Sequence, residues 1–197
     1  MRLILASSSP YRRQLLQRLG LPFDVRAPDV DETPAPGEDP VALALRLARA
    51  KALKVAARHP GAIVIGSDQV AVFEGRPVGK PGSHAAAREQ LRRFSGRSVA
   101  FHSALCVTDG AAVHVEDVPT ECEFITLDEA RIEHYLRAER PYDTAGSAKA
   151  EGLGIALMAR MRSDDPTAII GLPLIALAGM LRRVGLDPLQ APALTPP

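Results

Sequence analysis

The run Leu3-Ile4-Leu5-Ala6-Ser7-Ser8-Ser9-Pro10-Tyr11-Arg12-Arg13-Gln14-Leu15-Leu16 admits few local folds. Its apolar start predicts a short buried strand, the serines a loop, and the remainder a helix. Ser9 suits the cap of that helix, and Pro10 its first position, where a missing N–H costs nothing. Arginine in the first turn is the odd choice. The free N–H groups of a helix start carry partial positive charge, so Arg12 and Arg13 oppose it unless an anion lies between them. Serine hydroxyls, open N–H groups and two guanidinium forks at one point describe a phosphate site. The alternative is a capped helix whose arginines point into water.

Further along, periodicity predicts the remaining elements. The first helix ends at Gly20 with Leu15, Leu16 and Leu19 as its core face, and residues 23–26 form a second strand. An acidic, proline-stiffened loop covers 28–34. Asp39-Pro40 starts a long helix toward Arg58, whose Ala44, Leu47, Ala48, Lys51 and Val55 share one face. Residues 62–65 read as a buried strand ending in Gly66-Ser67-Asp68-Gln69, with 70–73 continuing extended to a hairpin turn at Glu74-Gly75. Ser83 caps a helix to Phe94, closed by Gly96. Strand-like runs follow at 98–107, 112–118 and 122–126, the first two joined across Asp109-Gly110. Thr126-Leu127-Asp128-Glu129 reads as a capping box for a helix ending before Pro141. Residues 154–161 look extended, and Asp165-Pro166 opens a last helical region that Gly171 and Pro173 interrupt before a helix to Val184. Helices alternating with strands early, and hairpins in the middle, give an α/β class with a mixed sheet flanked by helices.

The 197 residues carry a net charge of only +1, which leaves no broad basic field for a nucleic-acid polymer, so anion binding must be local. Cys106 and Cys122 lack metal-ligand spacing and each lies in an apolar run, which points to core packing. Arg2 followed by four apolar residues is too short for a signal peptide, and no run approaches a membrane span; the expectation is a cytoplasmic protein without membrane contact. The five histidines form no HExxH pattern, and neither a GxSxG elbow nor a Walker loop is present.

Asp68 follows a run that should be fully buried, where an ionised carboxylate is costly unless a cation, a metal or several donors compensate it. It also sits where open α/β sheets place ligands. A tight turn with backbone N–H groups on the carboxylate is the competing account. Lys51, on the apolar stripe of its helix, either snorkels to the surface or reaches a phosphate or Asp68. Lys80, in Gly79-Lys80-Pro81-Gly82, occupies a rigid turn that could aim an ammonium group into a cleft. Glu32 offers hard oxygen suited to Mg²⁺. Together these groups suit a nucleoside triphosphate and its metal.

The set Leu5-Ala6-Ser7-Ser8-Ser9-Pro10-Tyr11-Arg12-Arg13, Asp31-Glu32-Thr33, Lys51, Ile65-Gly66-Ser67-Asp68-Gln69 and Gly79-Lys80-Pro81 resembles the Maf family of nucleotide pyrophosphatases, over nearly the whole chain. Tyr11, Gln69 and Gly146-Ser147-Ala148-Lys149-Ala150-Glu151-Gly152 look most like its YceF-type 7-methyl-GTP pyrophosphatases, with Ala148 and Thr144 as departures. The resemblance implies one domain over residues 1–185 and a twisted mixed sheet in two lobes around a deep cleft, similar to inosine triphosphate pyrophosphatases, while the Pro/Ala-rich composition beyond it gives a loose tail over 186–197. It implies a hydrolase that cleaves between the α- and β-phosphates, a divalent cation (Mg²⁺, with Mn²⁺ or Co²⁺ as alternatives), and compatibility with a homodimer. Carried onto this chain, Asp68 is the proton acceptor and, with Glu32, a metal ligand. Ser7, Arg12, Arg13, Lys51 and Lys80 bind phosphate, while Tyr11, Gln69 and Glu151 set base choice. The competing functions are a dTTP/UTP pyrophosphatase of the same family, and a non-catalytic nucleotide-binding regulator that inhibits septum formation.

Overall fold

Side-chain alternation along the first strands decides which helix covers which face of the sheet. The computed structural model describes residues 2–190. In chain order the elements are β1 (Arg2–Ala6), α1 (Pro10–Gln17), β2 (Asp24–Arg26), α2 (Pro40–Ala56), β3 (Ala62–Phe73), β4 (Arg76–Val78), α3 (His84–Phe94), β5 (Ser98–Thr108), β6 (Val113–Phe124), α4 (Glu129–Glu139), β7 (Met158–Arg162) and α5 (Leu174–Arg183). The strand order is β2-β1-β3-β5-β6-β7, with β4 added to β3. β1 runs parallel to β2 and β3, whereas β4 and β7 are antiparallel to their partners, so the sheet is mixed. The described residues cluster into two compact units. One holds the residues up to Asp68, 103–118 and those from Asp165 on; the other holds 69–102 and 119–164.

In the first unit Leu3, Leu5, Ile63 and Ile65 share a core with Leu15 and Leu16 of α1 and Leu177, Met180 and Leu181 of α5. The intervening Ile4, Val64 and Gly66 leave the opposite face, toward α2. Gly66 marks the tightest approach there: a Cβ at this position would lie 2.2 Å from the Ala48 carbonyl oxygen and 2.7 Å from the Ala52 nitrogen. Only a residue without a side chain lets α2 descend this far. α5 begins after Pro173, which offers no side-chain cap. Its free N–H groups are met instead by Asp165, 2% exposed, whose Oδ2 accepts from Ile175 N at 2.6 Å while Oδ1 accepts from Thr167 N and Oγ1.

The second unit packs around aromatic rings, with Phe94 5.1 Å from Phe73 and 5.4 Å from Phe124 between centroids. α3 and α4 bury Ala87, Leu91, Ile132, Tyr135 and Leu136.

Four expectations change. Residues 66–69 do not end a strand, because β3 runs unbroken for 12 residues and Asp68 lies inside it. β6 is likewise continuous across Pro119, which lies beyond the stretch 121–124 paired to β7, so its missing N–H breaks no bond on that side. The cap of α4 is Asp128, accepting from Arg131 N at 2.8 Å, in place of Thr126. Residues 153–157 form a 3-10 turn, and only Met158–Arg162 is extended. Both cysteines are buried and free, as expected, and burial pushes their thiols up to about 11 and about 12, which leaves them inert. Of the tail over 186–197, residues 191–197 lie outside the described residues; Asp187 closes a short turn over 187–190.

No helix among the described residues is long and apolar enough to cross a membrane. Gly66→Ala should lower the unfolding free energy by about 3 kcal/mol, because overpacking here meets backbone on both sides. Urea denaturation of the purified chain measures it.

Candidate active site

Parallel register brings the first loop beside the middle of β3. Ala6 pairs with Gly66, so Ser7 follows β1 where Ser67 and Asp68 follow in β3. Ser7 is buried, and its Oγ accepts the Ser9 N–H at 3.1 Å, leaving its own O–H to donate. Ser9 caps α1 by accepting the Arg12 N–H, with Pro10 next to it as the local sequence predicts.

Asp68 is 7% exposed and Lys51 4%. Gly66 and Asp68 leave β3 on the same face, the face α2 covers, and Lys51 stands between the Ala48 and Ala52 that press on Gly66. Lys51 Nζ contacts Asp68 Oδ1 at 2.6 Å and Glu32 Oε1 at 2.6 Å. Of the two accounts of Lys51, the inward one holds. Of the two for Asp68, the turn falls away: the carboxylate lies in a strand and its compensation is an ammonium group. A buried pair of this kind costs desolvation that only close contact repays, so it is weak evidence for stability alone.

Arg12 is fixed through one nitrogen. Its Nε donates to the Gly171 carbonyl at 2.9 Å, which also accepts from Ser67 Oγ at 3.0 Å. Gly171 has φ +113°, a conformation that favours glycine, and it turns this carbonyl to both donors. The terminal nitrogens of Arg12 form no hydrogen bond among the described residues. Burial lowers the guanidinium below its usual range, opposed by the charges of Asp68 and Glu32, which places all three in one electrostatic neighbourhood. Sequence reasoning took Gly171 as a helix breaker and Ser67 as part of a strand-ending turn within the Ile65-Gly66-Ser67-Asp68-Gln69 motif, and gave neither a role in the site.

Arg13 goes elsewhere. It is exposed and lines a depression of about 430 Å³ with Gln17, Phe23 and Asp24. Tyr11 is half-buried in the first turn of α1, one turn before the buried Leu15.

The other site residues belong to the second unit. Gln69 follows Asp68 in β3, and consecutive strand side chains leave opposite faces, so adjacency in sequence does not put the two together. Lys80 is exposed, with no ion pair among the described residues, on a turn fixed at both ends: Gln90 Nε2 donates to Gly79 O at 3.1 Å and Gly82 N to Tyr142 O at 3.0 Å. Glu151 is exposed as a residue, yet burial by the chain around its carboxyl raises it above the usual carboxylate range, with Glu139 and Asp143 adding to the effect.

Among the described residues no three His, Cys, Asp or Glu side chains converge as a ready-made metal cage. Two carboxylates meeting at one ammonium nevertheless fit a hard divalent cation, which characteristically takes one or two protein carboxylates and completes its shell with water and substrate phosphate. Glu32 and Asp68 are the residues that would hold it.

The family described as Maf-like protein matches residues 2–184. A protein of Bordetella avium named 7-methyl-GTP pyrophosphatase is 69% identical over 192 residues, 98% of each chain. Proteins of the same name are 60% identical in Cupriavidus pinatubonensis, over 93% of this chain and 94% of that one, and 62% identical in Ralstonia nicotianae, over 92% and 95%. The Staphylococcus aureus Ham1 protein superposes with a TM-score of 0.46 at 17% identity, covering 63% of this chain and 72% of that one. The match to residues 2–184, and these identities over more than nine-tenths of each chain, establish that the chain belongs to the Maf-like protein family.

Proposed function

We propose that this chain hydrolyses 7-methyl-GTP to 7-methyl-GMP and pyrophosphate, with Asp68 as the proton acceptor. The observation that carries the reading is Asp68 itself, a buried carboxylate set inside a strand, paired with the Lys51 ammonium that Glu32 also contacts, and facing the charge of Arg12. The names of relatives at 60–69% identity support the substrate.

Asp68 takes a proton from a water that attacks the α-phosphorus in line. A bond forms from that oxygen to phosphorus, the bond from phosphorus to the α–β bridging oxygen breaks, and pyrophosphate departs with the electron pair. Lys51, Arg12 and the Ser7 hydroxyl offer donors to phosphate oxygens, whose charge grows on the leaving group. Lys80, exposed and without an ion pair among the described residues, supplies a further cation for the triphosphate, whereas Arg13, turned to the depression with Gln17 and Asp24, is given no part in the step. Glu32 and Asp68 would hold a Mg²⁺, which would supply charge neutralisation for the triphosphate.

Base choice has its own physical basis. N7-methylation makes guanine cationic, and the half-buried Tyr11 presents an aromatic face that attracts a cation by about 0.5–2 kcal/mol. Glu151, when ionised, accepts from the N1–H and N2–H₂ edge of guanine. Gln69 enters the same selection by the family resemblance, since its side chain leaves β3 on the face opposite Asp68.

Asp68→Asn should lower kcat about a thousandfold in a chain that still folds, measured by pyrophosphate release with circular dichroism beside it. A variant keeping more than a tenth of the wild-type kcat would remove Asp68 from this role. Glu151→Gln should shift the ratio of kcat/KM toward dTTP and UTP in a panel of nucleoside triphosphates. Because the Glu151 carboxyl titrates above the ordinary range, purine preference in the wild type should fall away as the pH drops, starting at a higher pH than a solvated glutamate would give. Chelation followed by dialysis should abolish turnover, and added Mg²⁺ should restore it; Glu32→Gln should raise the Mg²⁺ concentration needed for half-maximal rate. The same panel, run with Mg²⁺, separates this reading from binding without turnover.

A further inference from the structure

Gln90 stands on α3 three residues after Ala87 and four before Phe94, both fully buried, so the helix period turns it inward. Gln90 is half-buried there, and its carboxamide binds the chain through both ends. It does so in two directions. Its Nε2 donates to the Gly79 carbonyl at 3.1 Å, and its Oε1 accepts from the Ser147 hydroxyl at 2.6 Å. A carbonyl only accepts, so the amide orientation follows from its partners. Glutamate lacks the donor that Gly79 needs, and lysine lacks the acceptor that Ser147 needs.

Both partners lie on segments that are themselves held fast. On one side the turn 79–82 is tied at its far end by Gly82 N to Tyr142 O, and the Tyr142 hydroxyl meets His84 Nδ1 at 2.9 Å. On the other side Tyr135 OH donates to the Ser147 carbonyl at 3.0 Å and accepts the Lys149 N–H at 3.0 Å. The Glu139 carboxylate takes the Leu153 N–H at 2.6 Å. A Cβ on Gly154 would lie 2.4 Å from the Lys149 oxygen, and one on Gly152 2.5 Å from the Glu139 carboxylate, so the segment carrying Glu151 is closely wound. Ser147 itself has φ +56° and no exposed surface, a place where glycine would be unstrained. What serine adds there is the hydroxyl, and the hydroxyl goes to Gln90.

We propose that Gln90 is a positioning residue that ties the turn carrying Lys80 to the segment carrying Glu151, so that the phosphate-binding cation is set in place by the base-selecting segment. This rests on the roles given above to Lys80 and Glu151. A lysine stem is flexible, and its value in a transition state depends on how little the turn beneath it must reorganise.

The test uses the full chain with two variants that break the tie from opposite ends. Gln90→Glu keeps an acceptor for Ser147 but sets a carboxylate against the Gly79 carbonyl. Ser147→Gly removes the hydroxyl and relieves the backbone strain, so its melting temperature should not fall. Hydrogen exchange read by mass spectrometry should be faster over residues 78–83 in both, although Ser147 is far from that turn in sequence. kcat for 7-methyl-GTP should fall about tenfold in both with KM nearly unchanged, and the double variant should be no worse than Gln90→Glu alone. Unchanged exchange over 78–83 in Ser147→Gly overturns the tie. Faster exchange with wild-type kcat overturns the positioning role if Lys80→Met is inactive. Should Lys80→Met also keep its kcat, the phosphate role of Lys80 falls, and the proposal with it.

Discussion

One ammonium group shared by two carboxylates sets the conditions for the first unit. Lys51 can meet Asp68 and Glu32 only because α2 lies directly on β3, and α2 lies there only because residue 66 has no side chain. The start of that helix is fixed as well: Asp39 accepts from Val41 N and Ala42 N, with Pro40 beside it. From that start Lys51 falls on the same stripe as Ala44, Leu47, Ala48 and Val55. A cation on an otherwise apolar stripe costs too much to bury unless its partners are in place, so helix, strand and acidic loop specify one another. A network of this kind gives the site its geometry while adding little net stability.

Much of this was legible in the chain before any coordinates. Ser9 and Pro10 announced α1, Asp39-Pro40 announced α2, and Ser83 announced α3, because caps are local chemistry that depends on a few neighbouring residues. The failures have a common cause. Gly66-Ser67 reads locally as a strand end, yet β1 pairs up to Gly66, β5 lies along the other edge of β3, α2 packs on one face, and the backbone stays extended. Pro119 reads as a strand break, yet where β7 is absent its missing donor is harmless. Thr126 reads as the cap of the capping box, yet the backbone path gives that place to Asp128. In each case a partner distant in sequence overrode a local signal.

For the site itself, residue types and order were informative and side-chain directions were not. Lys51 and Asp68 could be singled out as buried charges, but their contact required the register of α2 on β3. Arg12 and Arg13, indistinguishable in the sequence, part company in the structure: one is anchored to Gly171 near the carboxylates and the other lines an exposed depression. Gln90 carried no signal, since a glutamine on a helix is ordinary, and Ser147 counted only as one member of the Gly146–Gly152 motif. Their meaning appears only when the two ends of one amide are followed to their partners.

The anchoring of Arg12 explains why that position suits arginine and no other cation. An ammonium has a single nitrogen, which must serve anchor and ligand together; a guanidinium divides the two tasks among different atoms. Here Nε is committed to a peptide carbonyl, while the terminal nitrogens make no hydrogen bond among the described residues. The aim of the charge is thus governed by a piece of main chain, and the residue supplying it, Gly171, contributes no side chain whatever. A survey of the site confined to its side chains would record every charged group and still miss the one that points the arginine.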